Sequence, residues 1–274
     1  DYDFVLNLCV STVDRLLRQQ SIHRDDVLGI GVAVPGQVDL NRRVVTFAPN
    51  LRWRDVSLAD DLERDLNLPV LVSNEAMLGA MAEKWFGRGR DAGVLVYVSV
   101  KGGLGCGIVN DRSLFLGVSG SAGELGHMSI DPKGPECSCG SRGCWEVYSD
   151  EQAILDRAFR ALRTSKDSLL FQWCIVENRR LTVDDIVHAA NVGDQTAMEI
   201  VRESGWYLGI GIANIVNGLN PDMVIVGGCI AASEIVFDEI NRVVQERGLQ
   251  IPAEKVSLVP TGLGDKVALM GCIA

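Results

Sequence analysis

GHMSIDPKGPECSCGSRGCWE, running from Gly126 to Glu146, concentrates one of the chain's three histidines and three of its eight cysteines in a short glycine-rich stretch. His127, Cys137, Cys139 and Cys144 give the pattern His-x9-Cys-x-Cys-x4-Cys. One imidazole and three thiolates make the closed four-donor set that Zn²⁺ takes in structural sites. Gly134, Pro135, Gly140 and Gly143 let the backbone double back between the ligands. Two other readings compete with the metal. A disulfide would leave an odd thiol and require an oxidising compartment, and inert buried cysteines do not cluster among polar and glycine residues. Zinc is the first reading, and with no ligand position left for water its role is architectural. The other cysteines, Cys9, Cys106, Cys174, Cys229 and Cys272, lie apart in apolar contexts and read as small core residues.

Outward from this loop, 274 residues at 47% hydrophobic exceed the ~100 to 200 typical of one domain and predict two lobes with sizeable cores. A formal charge of −10 argues against a nucleic-acid surface on this chain, because phosphate backbones are held by clustered Lys and Arg. Any DNA contact is expected from a segment outside it. The start at Asp1 lacks the basic and small-residue features of a signal peptide, and no apolar run approaches the ~18 to 20 residues of a membrane span. The expected location is a reducing cytoplasm.

Apolar residues at Val5, Leu6, Cys9, Val10, Val13, Leu16 and Leu17 recur at spacings of three and four, predicting an amphipathic helix over Phe4–Gln20. Val27–Gly36 reads as a strand closed by a Pro-Gly turn, and Pro69–Ala76 as another leading into the helical AMLGAMAEKWF. Val94–Val100 is a strand that opens the second lobe. Thr182 and Asp185 resemble a capping box, and a helix from about Asp194 to Asn217 precedes the strand Met223–Gly228. Alternating strands and helices place the chain in the α/β class.

GELGHMSIDP followed by CSCGSRGCWE resembles the signature of the ROK family of repressors, open reading frames and sugar kinases. VAVPGQVD, APNLRW, VSNEAMLGAMAE, GGLGCGIV, NGLNPDMVIVGG and TGLGDKVALMGC extend the resemblance over nearly the whole chain. It implies an actin-like, ribonuclease H-like fold of two α/β lobes around a sugar-binding cleft. The implied division is residues 1–92 for the first lobe, 93–260 for the second lobe with the zinc loop, and 261–274 for a terminal helix returning to the first. The family's opening strands have no counterpart after Asp1, so a preceding segment is expected.

Sugar hydroxyls both donate and accept, so their site needs carboxylates, amides and a fixed donor. By motif the resemblance implies Asn50, Asn74, Glu75, Glu124, His127 and Glu146 as sugar ligands. Zinc on one nitrogen of His127 would leave the other N–H aimed into the cleft, while the same loop delivers Glu146. From spacing alone Glu124 and Glu146 read as solvated surface charges, and Asn74 and Glu75 as a strand-end turn or helix cap. GGLGCG (Gly102–Gly107) is not a dinucleotide loop, because it runs into strand-like IVND rather than a helix. His23 and His188 receive no role.

Three departures from the family's kinases weigh on the activity. Glu75 stands where they carry the general-base Asp, Lys101-Gly102-Gly103 replaces their Gly-Thr-Gly phosphate loop, and Gly227-Gly228-Cys229 replaces Gly-Gly-Gly near the adenosine. The expected function is therefore the sugar-binding effector domain of a transcriptional regulator, a homo-dimer or tetramer that reaches DNA through a segment outside this chain. The alternatives are an ATP- and Mg²⁺-dependent sugar kinase and a zinc-stabilised scaffold without either role.

Overall fold

A computed structural model describes residues 1–274 and shows a mixed α/β architecture built on three sheets. The chain opens with α1 (Tyr2–Gln20), then β1 (Ile30–Val34), the meander β2 (Gln37–Asp39), β3 (Val44–Ala48) and β4 (Trp53–Val56), then α2 (Leu58–Leu66), β5 (Val70–Asn74) and α3 (Glu75–Trp85). β1 and β5 run parallel, with Ile30 opposite Val70 and Val34 opposite Asn74. Pairing starts only at Ile30, whose N–H donates to the Pro69 carbonyl at 2.8 Å, so Leu28 is left 98% exposed and the strand is shorter than its apolar run. Helix α1 lies over this region through Leu6, Cys9, Val10 and Val13, packed on a core of α2 and strand side chains. Its apolar stripe is wider than the surface it covers: Leu16 is exposed.

The second part contains β6 (Val94–Val100), β7 (Leu104–Asn110), β8 (Ser113–Leu114), α4 (Glu146–Ser149), α5 (Glu151–Ala161), α6 (Leu169–Phe171), α7 (Val183–Asn191) and α8 (Gln195–Leu219). β9 (Met223–Gly227), α9 (Glu234–Arg247), α10 (Gln250–Lys255), β10 (Ser257–Pro260) and α11 (Val267–Gly271) complete it. The sheet order is β10-β9-β6-β7-β8, with β9 parallel to its two neighbours and the β6–β7–β8 hairpins antiparallel. β6 is central and covered on both faces, which is why VLVYVSV runs apolar without alternation. One face packs against α8, α9 and α7, and the other against α3 and α11.

Local signals set the helix ends. Thr182 and Asp185 form the anticipated reciprocal box at the start of α7. Asn220 closes α8 in the left-handed conformation ahead of Pro221. At the far end of α3 the fully buried Glu83 accepts from Arg88 N at 3.0 Å, Gly262 N at 3.2 Å and the Thr261 hydroxyl, tying that helix to the loop after β10. The GGLGCG stretch is the β6–β7 hairpin. Of the five separate cysteines only Cys106 is fully buried; the other four are half-buried.

Candidate functional site

Asn50, Asn74, Glu75, Glu124, His127 and Glu146 all line one cleft of about 500 Å³. They arrive there from separate elements. Asn50 sits in the single 3-10 turn Pro49–Leu51 after β3, and Asn74 and Glu75 occupy the β5–α3 junction. Glu124 precedes the turn Leu125–His127 and His127 closes it, and Glu146 opens α4.

Asn74 is largely committed to structure. Its side-chain oxygen accepts from Ala76 N at 2.8 Å and Met77 N at 3.2 Å, capping α3, and its Nδ2 donates to the Gly36 carbonyl at 2.7 Å. One N–H therefore remains to face the cleft. Glu75 follows at the first helical position, half-buried. Glu146 accepts the Leu104 N–H on Oε2 at 3.0 Å, which fixes the carboxylate, and its Oε1 lies 3.9 Å from Cys137 Sγ. Burial pushes the Glu124 carboxyl above its ordinary range, with His127 drawing it back and Glu146 adding to the rise.

His127 points two ways. Its Nδ1 is 3.7 Å from Cys137 Sγ, and its Nε2 is 3.7 Å from Glu124 Oε2, beyond direct hydrogen-bond range. The donor atoms of His127, Cys137, Cys139 and Cys144 lie within 4.8 Å of one another, and Cys139 Sγ is 3.7 Å from Cys144 Sγ. Donors about 2.0–2.3 Å from a tetrahedral ion stand roughly 3.5–3.8 Å apart, so the cluster can hold a metal ion. Backbone bonds shape the loop around it, from Cys137 N to the Ser141 carbonyl and from Gly143 N to the Pro135 carbonyl, both at 2.8 Å. Gly143 has φ +64° and a Cβ there would overlap the Asp131 carbonyl, so no other residue closes this loop without strain.

Two braces hold Glu146 from behind. Trp145 is fully buried, donates through Nε1 to the Tyr207 carbonyl at 2.9 Å, and lies on Gly211 of α8, where a Cβ would overlap the indole. Arg157, 5% exposed, reaches from α5 to the Tyr148 carbonyl, to Glu203 at 3.1 Å and to Ser204 at 3.2 Å, with its guanidinium over the Tyr207 ring.

The cleft also contains side chains that sequence reasoning did not nominate, chiefly Gln37 and Asp150. Asp150 caps α5 by accepting from Ala153 N at 2.8 Å. Burial pushes its carboxyl up to about 6, against the pull of that N–H and with help from Glu146 and Asp156. Its only local signal was the helix start that follows it, which reads as an ordinary cap.

The ROK family profile matches residues 5–274. This chain belongs to the ROK family. Among ROK relatives, the xylose repressor of Bacillus subtilis is 35% identical over 97% of this chain, which spans 65% of that repressor's length, a little under two thirds. The crystal structure of a ROK transcriptional regulator, a homolog of the Escherichia coli MLC protein, superposes with TM-score 0.87 at 30% identity, covering 98% of this chain and 67% of that one. A ROK glucokinase from Streptomyces griseus, in complex with glucose and AMPPNP, superposes with TM-score 0.85 at 30% identity, covering 96% and 85%.

Proposed function

We propose that this ROK chain is the sugar-binding effector part of a transcriptional repressor whose DNA-binding segment lies outside it. The observation that carries this reading is the convergence of Glu75, Glu124, His127 and Glu146 in one cleft of a chain 35% identical to a xylose repressor. Carboxylates accept sugar hydroxyl protons, and the Nε2–H of His127 supplies a donor of fixed direction. Asn50 and the remaining N–H of Asn74 complete the set. Zn²⁺ fits the cluster: with Nδ1 of His127 and the sulfurs of Cys137, Cys139 and Cys144 as ligands, it would clamp the loop and hold the imidazole in one tautomer.

The lobe division at 1–92, 93–260 and 261–274 is supported by separate cores around α2 with β1–β5 and around α8 with the five-stranded sheet. α3 and α11 bridge them, packing on that sheet while Cys272 lies against Gly31 of β1. Sugar closing the cleft would shift the balance between two arrangements of a dimer or tetramer, which requires tighter binding to one of them. No helix is long and apolar enough to cross a membrane. The cytoplasm suits both a DNA-bound role and reduced thiolates.

A second reading, an ATP-dependent sugar kinase, is favoured by the likeness to the glucokinase and by Glu75, a carboxylate able to deprotonate a hydroxyl. One experiment separates the two. Calorimetry of the purified chain against neutral pentoses and hexoses should register binding by at least one of them. Incubation of the same protein with that sugar, ATP and Mg²⁺ should yield no sugar phosphate. Multiple turnovers would establish the kinase, and silence with every sugar would remove the effector reading.

A further inference from the structure

The charge of the cleft restricts what can enter it, and the restriction deepens the carbohydrate reading on which it rests. Glu75, Glu124, Glu146 and Asp150 place four carboxylates on its walls, and Lys101 is the one ammonium among the lining residues. Three thiolates around a divalent ion would leave one further negative charge beside them.

A phosphoryl group is held by free backbone N–H donors and by open helix N-termini. The turn Lys101–Leu104 and the start of α5 are where this cleft offers such groups, and the N–H groups of Leu104, Glu151 and Ala153 among them are already engaged. Leu104 N–H donates to Glu146 Oε2 at 3.0 Å. Glu151 N–H, first in α5, donates to the Lys101 carbonyl at 3.0 Å. Ala153 N–H donates to the Asp150 carboxylate at 2.8 Å. The α5 dipole, which would otherwise attract an outside anion, is thus satisfied by the protein's own carboxylate.

We propose that Asp150, with Glu146 behind it, acts as an anion filter: the cleft admits neutral polyols and turns away phosphorylated sugars and polyphosphates. Asp150 is the specificity-determining residue, distinct from the groups that grip the sugar. Helix capping alone does not explain it, because Asn or Ser caps equally well without the charge. An ion-pair-scale repulsion at partly desolvated positions is worth at least an order of magnitude in affinity.

The test compares wild type with Asp150→Asn and Asp150→Ser, both of which keep a helix cap. Each is titrated calorimetrically with D-xylose, D-glucose, D-glucose 6-phosphate and tripolyphosphate at low and at high salt. Wild type should take a neutral sugar and show no measurable affinity for either anion. Both variants should gain roughly tenfold or more for an anionic probe, and the gap between wild type and variants should narrow as salt rises. Wild type binding glucose 6-phosphate as tightly as glucose would overturn the filter while leaving sugar binding intact. Variants that exclude anions as firmly as wild type would overturn the role of Asp150. Gained anion affinity without binding of any neutral sugar would uphold the filter and count against the carbohydrate reading alone.

Discussion

Glu146 touches the β6–β7 hairpin through Oε2 and the cysteine loop through Oε1, both at the cleft. Replacing it by Gln keeps the shape but removes the charge that strengthens a sugar hydroxyl bond, so sugar affinity should fall tenfold to a hundredfold by calorimetry. Asp150 gives a prediction whose sign follows from its burial. Its folded carboxyl, pushed up to about 6, holds the proton more tightly than the unfolded chain does at its ordinary value of 3.8. Stability relative to Asp150→Asn is therefore lost as pH climbs from about 4 to about 6, and stays lost above that window. Melting curves of the two proteins should separate across this range, with Asp150→Asn the more stable on the alkaline side. Curves that stay parallel would contradict the buried carboxylate. The His127, Cys137, Cys139 and Cys144 cluster was legible in the sequence because the spacing and residue types of a four-donor set carry its chemistry. Asp150 was not, because along the chain it reads as an ordinary helix cap, and its meaning lies in the turn at Lys101, distant in sequence, that folds against it.

At the scale of elements, α8 decides how firmly the cysteine loop is seated. Gly211→Ala inserts a methyl group into the space of the Trp145 ring, and overpacking of this kind costs about 1–3 kcal/mol. Urea denaturation should show that loss, together with weaker sugar binding, since Trp145 precedes Glu146. Long periodic elements such as α1 and α8, and the all-apolar β6, could be placed from sequence to within a few residues. The meander β2–β4 could not. Its strands are three to five residues long and separated by Arg43 and Arg52 in the left-handed conformation, a pattern without a clear period. Asn74 carries two roles the motif alone did not separate: it was nominated as a ligand, and three of its hydrogen bonds also serve the backbone of Gly36 and α3, leaving one N–H for the cleft.

Across the whole molecule the proposed zinc should matter beyond the loop that would hold it. Cys139→Ala, or chelation of wild type, is expected to remove one equivalent of metal per chain by elemental analysis and to lower the melting temperature. Sugar binding should vanish with it, because His127 and Glu146 both depend on that loop. Retained affinity in metal-free protein would separate the cluster from the cleft. The order of the five-stranded sheet was beyond reach of the sequence, since β9 pairs with β6 across more than a hundred intervening residues and no local feature records that partnership.

The carboxylate of Glu83 has a mechanical consequence. Helix α3 presents Asn74 and Glu75 to the cleft at one end, and at the other Glu83 rivets it to Thr261 and Gly262, just ahead of α11. A rod about 16 Å long, pinned at both ends, does not absorb a tug by bending. It works as a strut, passing any displacement of its cleft-side tip to the loop after β10 and to α11, whose Gly271 lies against Leu78 of the same helix.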